Sequence, residues 1–294
     1  MKSIKTFLFI LIFCFFCRVS FAGDVKFAYI SILDYLPVIS ACENNNNNFN
    51  GTKIILEKFW SWTSMEAAFS EGIFDICLIP VPLALKLKAN SNDIRILSAF
   101  STGGSRLISK KTTISKLKDP FLAVFSIEAS ENLFLYDFNN KQSFFGDKMR
   151  ILEISIQDFL NDYTDEYVDG VFCPEPYASI LEDKKLGAEL KEVSAIMKNK
   201  ISMVLVVNNK FLNSNKSDVI NCIEAFKQGI NFVNEDIKKT GGKEIAKMQK
   251  KYFDFDEAII IKALEHSKDN LEFKYIIPDK EQMMYLYDIS AVFN

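Results

Sequence analysis

A Trp-Thr-Ser-Met-Glu segment offers residue types that could hold a small ligand by stacking and hydrogen bonding. Thr63 and Glu66 have the spacing of a capping box, which predicts a short helix that begins here and ends at Gly72. The start of a helix presents free N–H groups and the positive end of the helix dipole, so Thr63 and Ser64 are candidate ligand contacts. Trp62, directly before them, is placed either to stack on a planar ligand or to pack in the core.

Further hydrogen-bonding residues follow other predicted strands. Thr102 and Gly103 belong to a Ser-Thr-Gly-Gly-Ser turn, in which paired glycines allow close approach of a ligand to the backbone and also suit a hinge. The turn is not a phosphate loop, because no Gly-Lys-Ser/Thr follows it. The remaining candidate contacts of this kind are Asp34, Tyr35, Ser126 and Ser130.

Two segments of the chain repeat one pattern about ninety residues apart. Residues 74–84 and 168–178 both read apolar, Asp, four mostly apolar residues, Pro-x-Pro, apolar, Ala. Each copy predicts a buried strand that stops at a proline and turns into a helix, with the second proline at the first helical position. The repeat predicts two similar α/β lobes, although one sheet that used this connection twice would also produce it. Pro80 and Glu175 lie in these corners as candidate contacts; Glu175 either binds a cationic or amide group or caps its helix while solvated.

Short β-rich runs alternate with helical patterns over most of the chain, which is typical of an α/β protein. In open α/β sheets the ligand crevice lies beyond the carboxyl ends of the strands, so the two Pro-x-Pro corners are expected to face each other across a cleft. Beyond Lys210 the pattern predicts helix after helix. The predicted strands cover residues 25–32, 53–58, 74–79, 95–100, 121–125, 150–154, 168–173 and 203–207.

The sequence offers little for catalysis. The single histidine, His266, stands between Glu265 and Ser267 near the end of a late predicted helix, where a surface position is expected. No nucleophile elbow, metal-ligand cluster or Ser–His–Asp arrangement can be assembled around it. We therefore predict neither catalytic residues nor a metal or cofactor, and binding is favoured over an enzymatic function.

The first twenty-two residues have the three-part layout of a secretory signal. Lys2 and Lys5 precede an unbroken apolar run over residues 7–17, and Ser20 and Ala22 are the small residues that signal peptidase reads. The apolar run is shorter than the roughly twenty residues that span a bilayer. We predict cleavage after Ala22 and export to the periplasm.

Removal of this leader changes the formal net charge from −3 to about −6. A mildly acidic surface of mixed charge argues against nucleic acid as a partner. The cysteines that remain show no metal-ligand or redox spacing, and either buried free thiols or a disulfide would be compatible with the sequence. They are Cys42, Cys77, Cys173 and Cys222.

With these features in view, the chain resembles the nitrate/sulfonate/taurine branch of ABC-importer substrate-binding proteins, a family that also includes binders of thiamine pyrimidine precursors. The resemblance covers nearly the whole mature chain. It is carried by Val-Lys-Phe-Ala-Tyr at 25–29, by Ser-Trp, Glu-Gly-Ile-Phe-Asp and Pro-Leu-Ala within 59–87, by Glu-Pro-Tyr within 168–178, and by 203–212.

The resemblance implies a type II periplasmic-binding-protein fold, in which two lobes joined by two hinge crossings close on a ligand. Lobe one would hold residues 23–107 and 205–294, and lobe two residues 108–204. The turns at 62–64 and 126–130 would contact the ligand. The protein would be a monomer that delivers a small molecule to an ABC permease in the inner membrane.

The ligand class is less well defined by the resemblance. The Trp-x-Pro-Asn-x-x-His type of pattern found in pyrimidine binders is absent, since Asp34-Tyr35-Leu36-Pro37 stands at that place. Arg106 is the one basic residue obviously placed for a sulfonate. A small oxyanion such as nitrate, sulfonate or bicarbonate is slightly favoured.

Two other functions remain open from the sequence. An enzyme on the same fold, similar to the menaquinone-pathway chorismate dehydratases, would look alike, but that chemistry belongs in the cytoplasm and the leader argues against it. A receptor that presents its liganded form to a sensor would also share the fold.

Overall fold

The described part of the chain forms two β-sheets with helices packed on them. A computed structural model describes residues 23–90, 93–110, 119–146, 148–164 and 168–293. The predicted signal peptide, residues 1–22, lies outside the described residues.

The strands divide between a seven-stranded and a five-stranded sheet, which define a large lobe and a small lobe. In chain order they are β1 (Asp24–Tyr29), β2 (Asn48–Phe49), β3 (Thr52–Lys58), β4 (Ile76–Pro80), β5 (Ile94–Thr102), β6 (Ser105–Ser109), β7 (Phe121–Val124), β8 (Arg150–Glu153), β9 (Gly170–Pro174), β10 (Ala188–Glu189), β11 (Ile201–Asn208) and β12 (Glu272–Ile276). The large sheet has the order β12-β5-β11-β4-β1-β3-β2, and the small sheet has the order β10-β6-β9-β7-β8.

Helices follow most of the strands. They are α1 (Leu36–Asn44), α2 (Trp62–Ser70), α3 (Val81–Ala89), α4 (Ser130–Gln142), α5 (Phe159–Thr164), α6 (Tyr177–Asp183), α7 (Lys191–Ser194), α8 (Asn209–Ser214), α9 (Lys216–Thr240), α10 (Lys243–Gln249), α11 (Glu257–Ser267) and α12 (Lys280–Phe293). Among the residues that the structure describes, no helix combines the length and the apolar character needed to cross a membrane.

The long helix α9 closes the core of the large lobe. Its buried residues, which include Val219, Cys222 and Phe226, recur at three- and four-residue steps and so form one apolar face. The ring of Phe226 packs edge-on against Phe27 of β1, with the ring centroids 5.2 Å apart. The helix ends at Gly241, whose φ of +76° is the left-handed conformation that glycine adopts most readily.

Both sheets place three parallel strands beside an antiparallel strand that arrives from the other lobe. In the large sheet β3, β1 and β4 run parallel and β11 pairs antiparallel with β4. In the small sheet β8, β7 and β9 run parallel and β6 pairs antiparallel with β9. The two strands of the sequence repeat, β4 and β9, therefore hold corresponding positions. The prediction of two similar α/β lobes is confirmed.

The described chain passes between the sheets at two crossings. β5 ends at Thr102 in the large sheet and β6 begins at Ser105 in the small sheet, so Gly103 and Gly104 form the first crossing. The second lies within residues 190–200, between β10 and β11. The lobe boundaries expected at 107/108 and 204/205 stay a prediction. The chain passes from one sheet to the other a few residues before each of these positions.

Three local predictions are wrong. Helix α2 begins at Trp62 and is capped by Ser61, whose Oγ accepts a hydrogen bond from Ser64 N at 3.1 Å, so Thr63 does not open a capping box. Pro82 is the second residue of α3 and Pro176 precedes α6, so neither occupies the first helical position. The helical region beyond Lys210 also contains β12, which pairs with β5.

The four cysteines of the described chain are free and buried. Burial raises the pKa of the Cys42 thiol to about 12. This thiol therefore stays protonated at neutral pH and behaves as a small apolar group of the core.

Candidate functional site

A small, partly open cavity lies where the two lobes meet, and its free volume of about 10 Å³ is enough for about one water molecule. β4 and β9 both end at its wall. Pro80, the last residue of β4, is in register with Met203 of the crossing strand β11, and Pro174, the last residue of β9, is in register with Ser105 of the crossing strand β6. Equivalent strand ends of the two lobes therefore face the same space. The other lining residues are Ile32, Asp34, Trp62, Gly103, Ser130, Glu131 and Ser202.

The lobes are in direct contact around this cavity. At the start of α4 in the small lobe, Ser130 Oγ donates to the Ser202 carbonyl oxygen at 2.5 Å and accepts from Val81 N at 3.3 Å, both in the large lobe. Lys86 of α3 forms an ion pair of 2.8 Å with Glu128 of the small lobe. The structure therefore shows the closed arrangement of the two lobes.

Asp34 is the acidic residue of the large-lobe wall and is 3% exposed. Its Oδ1 accepts hydrogen bonds from Ser101 Oγ and, at 3.5 Å, from Ser202 Oγ. Its Oδ2 lies beside the first crossing, where a Cβ built on Gly104 would stand 3.6 Å away. Burial raises the pKa of Asp34 to about 6, and the serine hydroxyl groups oppose this shift.

Glu131, in the first turn of α4, is the acidic residue of the small-lobe wall and is 6% exposed. Its Oε2 accepts a hydrogen bond from Ser105 Oγ at 3.5 Å. Burial, together with the nearby charge of Asp34, raises the pKa of Glu131 to about 7, although hydrogen bonds from its own backbone N–H and from Ser105 lower it. Neither carboxyl group has an ion-pair partner within the described part of the chain.

Arg106 and Glu175 lie behind the cavity wall and neutralise each other. Arg106 Nη2 is 2.7 Å from Glu175 Oε1, and its Nη1 is 2.8 Å from Glu182 and 3.3 Å from Glu189. Glu175 is fully buried and also accepts from Ser179 N at 3.0 Å, which caps α6. Arg106 is thus not free to bind an oxyanion. Glu175 caps its helix, as one of the two alternatives predicts, but it is buried instead of solvated, and its contact with a ligand stays a prediction.

An open groove lies on the outer side of Arg106. His266 is at its rim, with the side chain 33% exposed, Nδ1 3.2 Å from Arg106 Nη2 and 3.3 Å from Glu182 Oε2. His266 is therefore at the surface, as expected, and it also joins the lobes through its contacts with Arg106 and Glu182. Within the described residues no group of three or more His, Cys, Asp or Glu side chains is placed to hold a metal ion.

Five of the eleven candidate contacts line the cavity between the lobes: Asp34, Trp62, Pro80, Gly103 and Ser130. The other six lie elsewhere. Tyr35 is a core residue that donates to the Leu78 carbonyl oxygen, and Thr63 and Ser64 are exposed on α2. Thr102, Ser126 and Glu175 are buried outside the lining. Which residues contact a ligand stays a prediction.

The sequence reasoning missed six lining residues: Ile32, Ser105, Glu131, Pro174, Ser202 and Met203. One of them, Pro174, could have been predicted from the repeat, because it is the counterpart of Pro80 and ends the equivalent strand. Glu131 gave no signal of its own, since an acidic residue in the first turn of a helix is ordinary.

Solved structures of low sequence identity share this architecture. The ligand-binding component of an ABC-type import system from Staphylococcus aureus, solved with zinc bound, is 15% identical and has a TM-score of 0.79, with 92% of this chain and 91% of that chain covered. The periplasmic nitrate-binding protein NrtA from Synechocystis is 12% identical, with a TM-score of 0.76 and coverages of 92% and 85%. The alkanesulfonate-binding protein SsuA from Xanthomonas axonopodis pv. citri, bound to MOPS, is 13% identical, with a TM-score of 0.70 and 93% of each chain covered.

The chain has the periplasmic-binding-protein fold, which confirms the expected fold class and, at the level of structure, the resemblance to nitrate and sulfonate binders. No model of a known protein family matches the chain, and neither does any curated protein sequence. At these identities the likeness defines the fold, and the ligand has to be argued from the residues of this chain.

Proposed function

We propose that the protein is the solute-binding component of an ABC importer, which closes its two lobes on one small molecule and delivers it to a membrane permease. The cavity between equivalent strand ends of the two lobes, which residues of both lobes line, carries this proposal. A ligand that contacts both walls binds the closed arrangement better than an open one, and so shifts the population toward closure. Export through the leader would bring the protein to the periplasm, where a single copy would meet the permease.

The lining of the cavity favours binding over catalysis. Its serine hydroxyl groups are engaged with the backbone or with carboxylates: Ser130 with the Ser202 carbonyl oxygen, Ser105 with Glu131, and Ser202 with Asp34. Within the described chain none of these serines contacts a histidine or lysine that would activate it as a nucleophile. The matched structures cited above are also binding proteins.

The two tryptophans of the chain make a direct test of the cavity. Trp62 lines it and is 4% exposed, whereas Trp60, two residues earlier, is 48% exposed and packs under Lys58. We expect a ligand to change the intrinsic fluorescence of the protein and of a Trp60→Phe variant, and this change to disappear in Trp62→Phe. Phenylalanine is chosen because Trp62 also packs in the core, where truncation to alanine would cost about 3–5 kcal/mol of stability.

The ligand is found with a thermal-shift screen of metabolites sorted by charge. At about a hundred times its dissociation constant a ligand adds about 2.7 kcal/mol to the free energy of unfolding. Hits are then titrated by fluorescence with the two tryptophan variants. A hit that quenches Trp60→Phe and Trp62→Phe alike would place the ligand outside the cavity, and a screen with no hit of any charge would count against solute binding.

A further inference from the structure

The cavity between the lobes contains two acidic side chains, Asp34 and Glu131, and no basic one among its lining residues in the described chain. The two carboxyl groups are 3% and 6% exposed. A buried carboxylate is costly without a cation, and a second one nearby adds repulsion. Protein interiors normally pair such groups, as this protein does with Arg106 and Glu175 behind the same wall. Two such groups without an ion-pair partner among the described residues therefore point to a positive charge supplied by a bound ligand.

The two carboxyl groups are hydrogen-bonded but have no cationic partner among the described residues. Oδ1 of Asp34 accepts from Ser101 and Ser202, and Oδ2 lies beside the first crossing, where a Cβ on Gly104 would stand 3.6 Å away and 2.9 Å from Leu271 Cδ1. The carboxylate of Glu131 accepts from its own backbone N–H and from Ser105 at 3.5 Å, which is the long limit of a hydrogen bond. Hydrogen bonds from hydroxyl and backbone groups satisfy the acceptor oxygens but do not neutralise the two charges.

The rest of the lining agrees with a cationic ligand. Trp62 adds an indole to the same wall, and indole faces attract cations. An oxyanion would instead meet two acidic groups without a basic side chain, because Arg106, which could have received it, contacts Glu175, Glu182 and Glu189. Repulsion of this kind is a common source of ligand discrimination.

We infer that the ligand of this cavity is a small organic cation, a protonated amine or amidine, held between Asp34 and Glu131. The inference rests on the proposed solute-binding function and replaces the oxyanion that the sequence favoured. Asp34 belongs to the large lobe and Glu131 to the small lobe, so closure brings the two carboxyl groups toward each other. A bound cation compensates their repulsion, and this couples closure to the presence of the right ligand.

The test compares cations with neutral molecules of the same shape. Acetamidinium and acetamide, guanidinium and urea, and ethylammonium and ethanol form matched pairs, and nitrate, bicarbonate and methanesulfonate represent the oxyanions. We expect calorimetric binding of cations, and affinity for them to fall about 10- to 100-fold in Glu131→Gln, because one charge-assisted hydrogen bond is lost. Glu257→Gln, at an exposed glutamate that begins α11, is the matched control and should leave the affinity unchanged.

The possible outcomes separate this inference from the proposed function. Binding confined to oxyanions or neutral molecules, or cation binding that Glu131→Gln and Asp34→Asn leave intact, overturns the cationic ligand and leaves solute binding in place. A full metabolite panel in which no compound of any charge binds overturns both. Urea unfolding of each variant confirms that it is folded before its affinity is compared.

Discussion

Replacement of Glu131 by glutamine should make the ligand-free protein more stable, and more so at high pH. The carboxyl group is buried in the closed cavity without a cation, and its pKa is about 7 instead of the usual 4.5. Between these two pH values the group is neutral when folded and charged when unfolded. Folding then takes up a proton, so the stability contributed by this group is complete below pH 4.5 and is lost as pH rises through 7.

The magnitude follows from the two pKa values. At 1.36 kcal/mol per pH unit, the difference between 4.5 and about 7 corresponds to about 3 kcal/mol at pH 8, when the buried group is charged. At pH 5 the same relation gives a loss of about 1 kcal/mol in the free energy of unfolding from this carboxyl group. Glutamine has the same shape and no charge, so Glu131→Gln should gain about 2 kcal/mol more over the parent protein at pH 8 than at pH 5.

The assay is urea unfolding of the parent protein, Glu131→Gln and the control Glu257→Gln at both pH values, without ligand. Titrating groups that do not interact with Glu131 cancel in the differences, whereas Asp34, whose charge raises the pKa of Glu131, titrates together with it, so the pH dependence belongs to the pair. A gain of equal size at pH 5 and pH 8, or no gain at pH 8, would refute the argument that Glu131 carries an uncompensated buried charge. A cationic ligand at saturation should reduce the gain of Glu131→Gln by about 1.4–2.7 kcal/mol, because its affinity for the variant is about 10- to 100-fold lower.

Two further predictions concern the elements around the cavity. Arg106→Met should lower the free energy of unfolding, measured in urea, by about 3–5 kcal/mol, because it leaves Glu175 buried and unpaired. Adding Glu175→Gln should restore part of this loss. A double variant no more stable than Arg106→Met would contradict a buried ion pair. The Gly103→Ala variant should melt at a clearly lower temperature than the parent protein, because φ is +72° at this position and the new Cβ would lie 1.8 Å from the Asn270 carbonyl oxygen. An unchanged melting temperature would rule out this tight crossing.

Much of the fold was predictable because its central strands are locally encoded. A strand that is buried on both faces reads as a continuous apolar run, and β4 and β9 add a proline that stops the strand. The repeat of this unit predicted two similar lobes. The strands β2, β6, β10 and β12 were missed. Three of them, β2, β10 and β12, are edge strands, and β2 and β10 have only two residues each; β6 is separated from β5 only by Gly103 and Gly104. Such strands depend on their partner strand more than on their own pattern.

The candidate site was only partly predictable, for a related reason. Asp34 and Trp62 follow strand ends, and the rule that ligands bind beyond strand ends placed both at the cavity. Thr63 and Ser64 follow a strand too, but the helix starts two residues earlier than the capping-box pattern predicts, with Ser61 instead of Thr63 as its cap, and both side chains are exposed. A shift of two residues on a helix turns a side chain by about 200°, which is enough to move it from the cavity to the solvent.

The charge of the ligand illustrates what residue types alone do not encode. Arg106 is a residue type that binds oxyanions, and it supported a nitrate- or sulfonate-like ligand. Its guanidinium is instead neutralised by Glu175, Glu182 and Glu189, which lie 69, 76 and 83 residues further along the chain. Glu131 is the opposite case, an ordinary helix-start acid that tertiary structure buries without a cation. The preference of the cavity is therefore set by which charges find partners inside the fold. For this reason two proteins with the same fold can bind ligands of opposite charge.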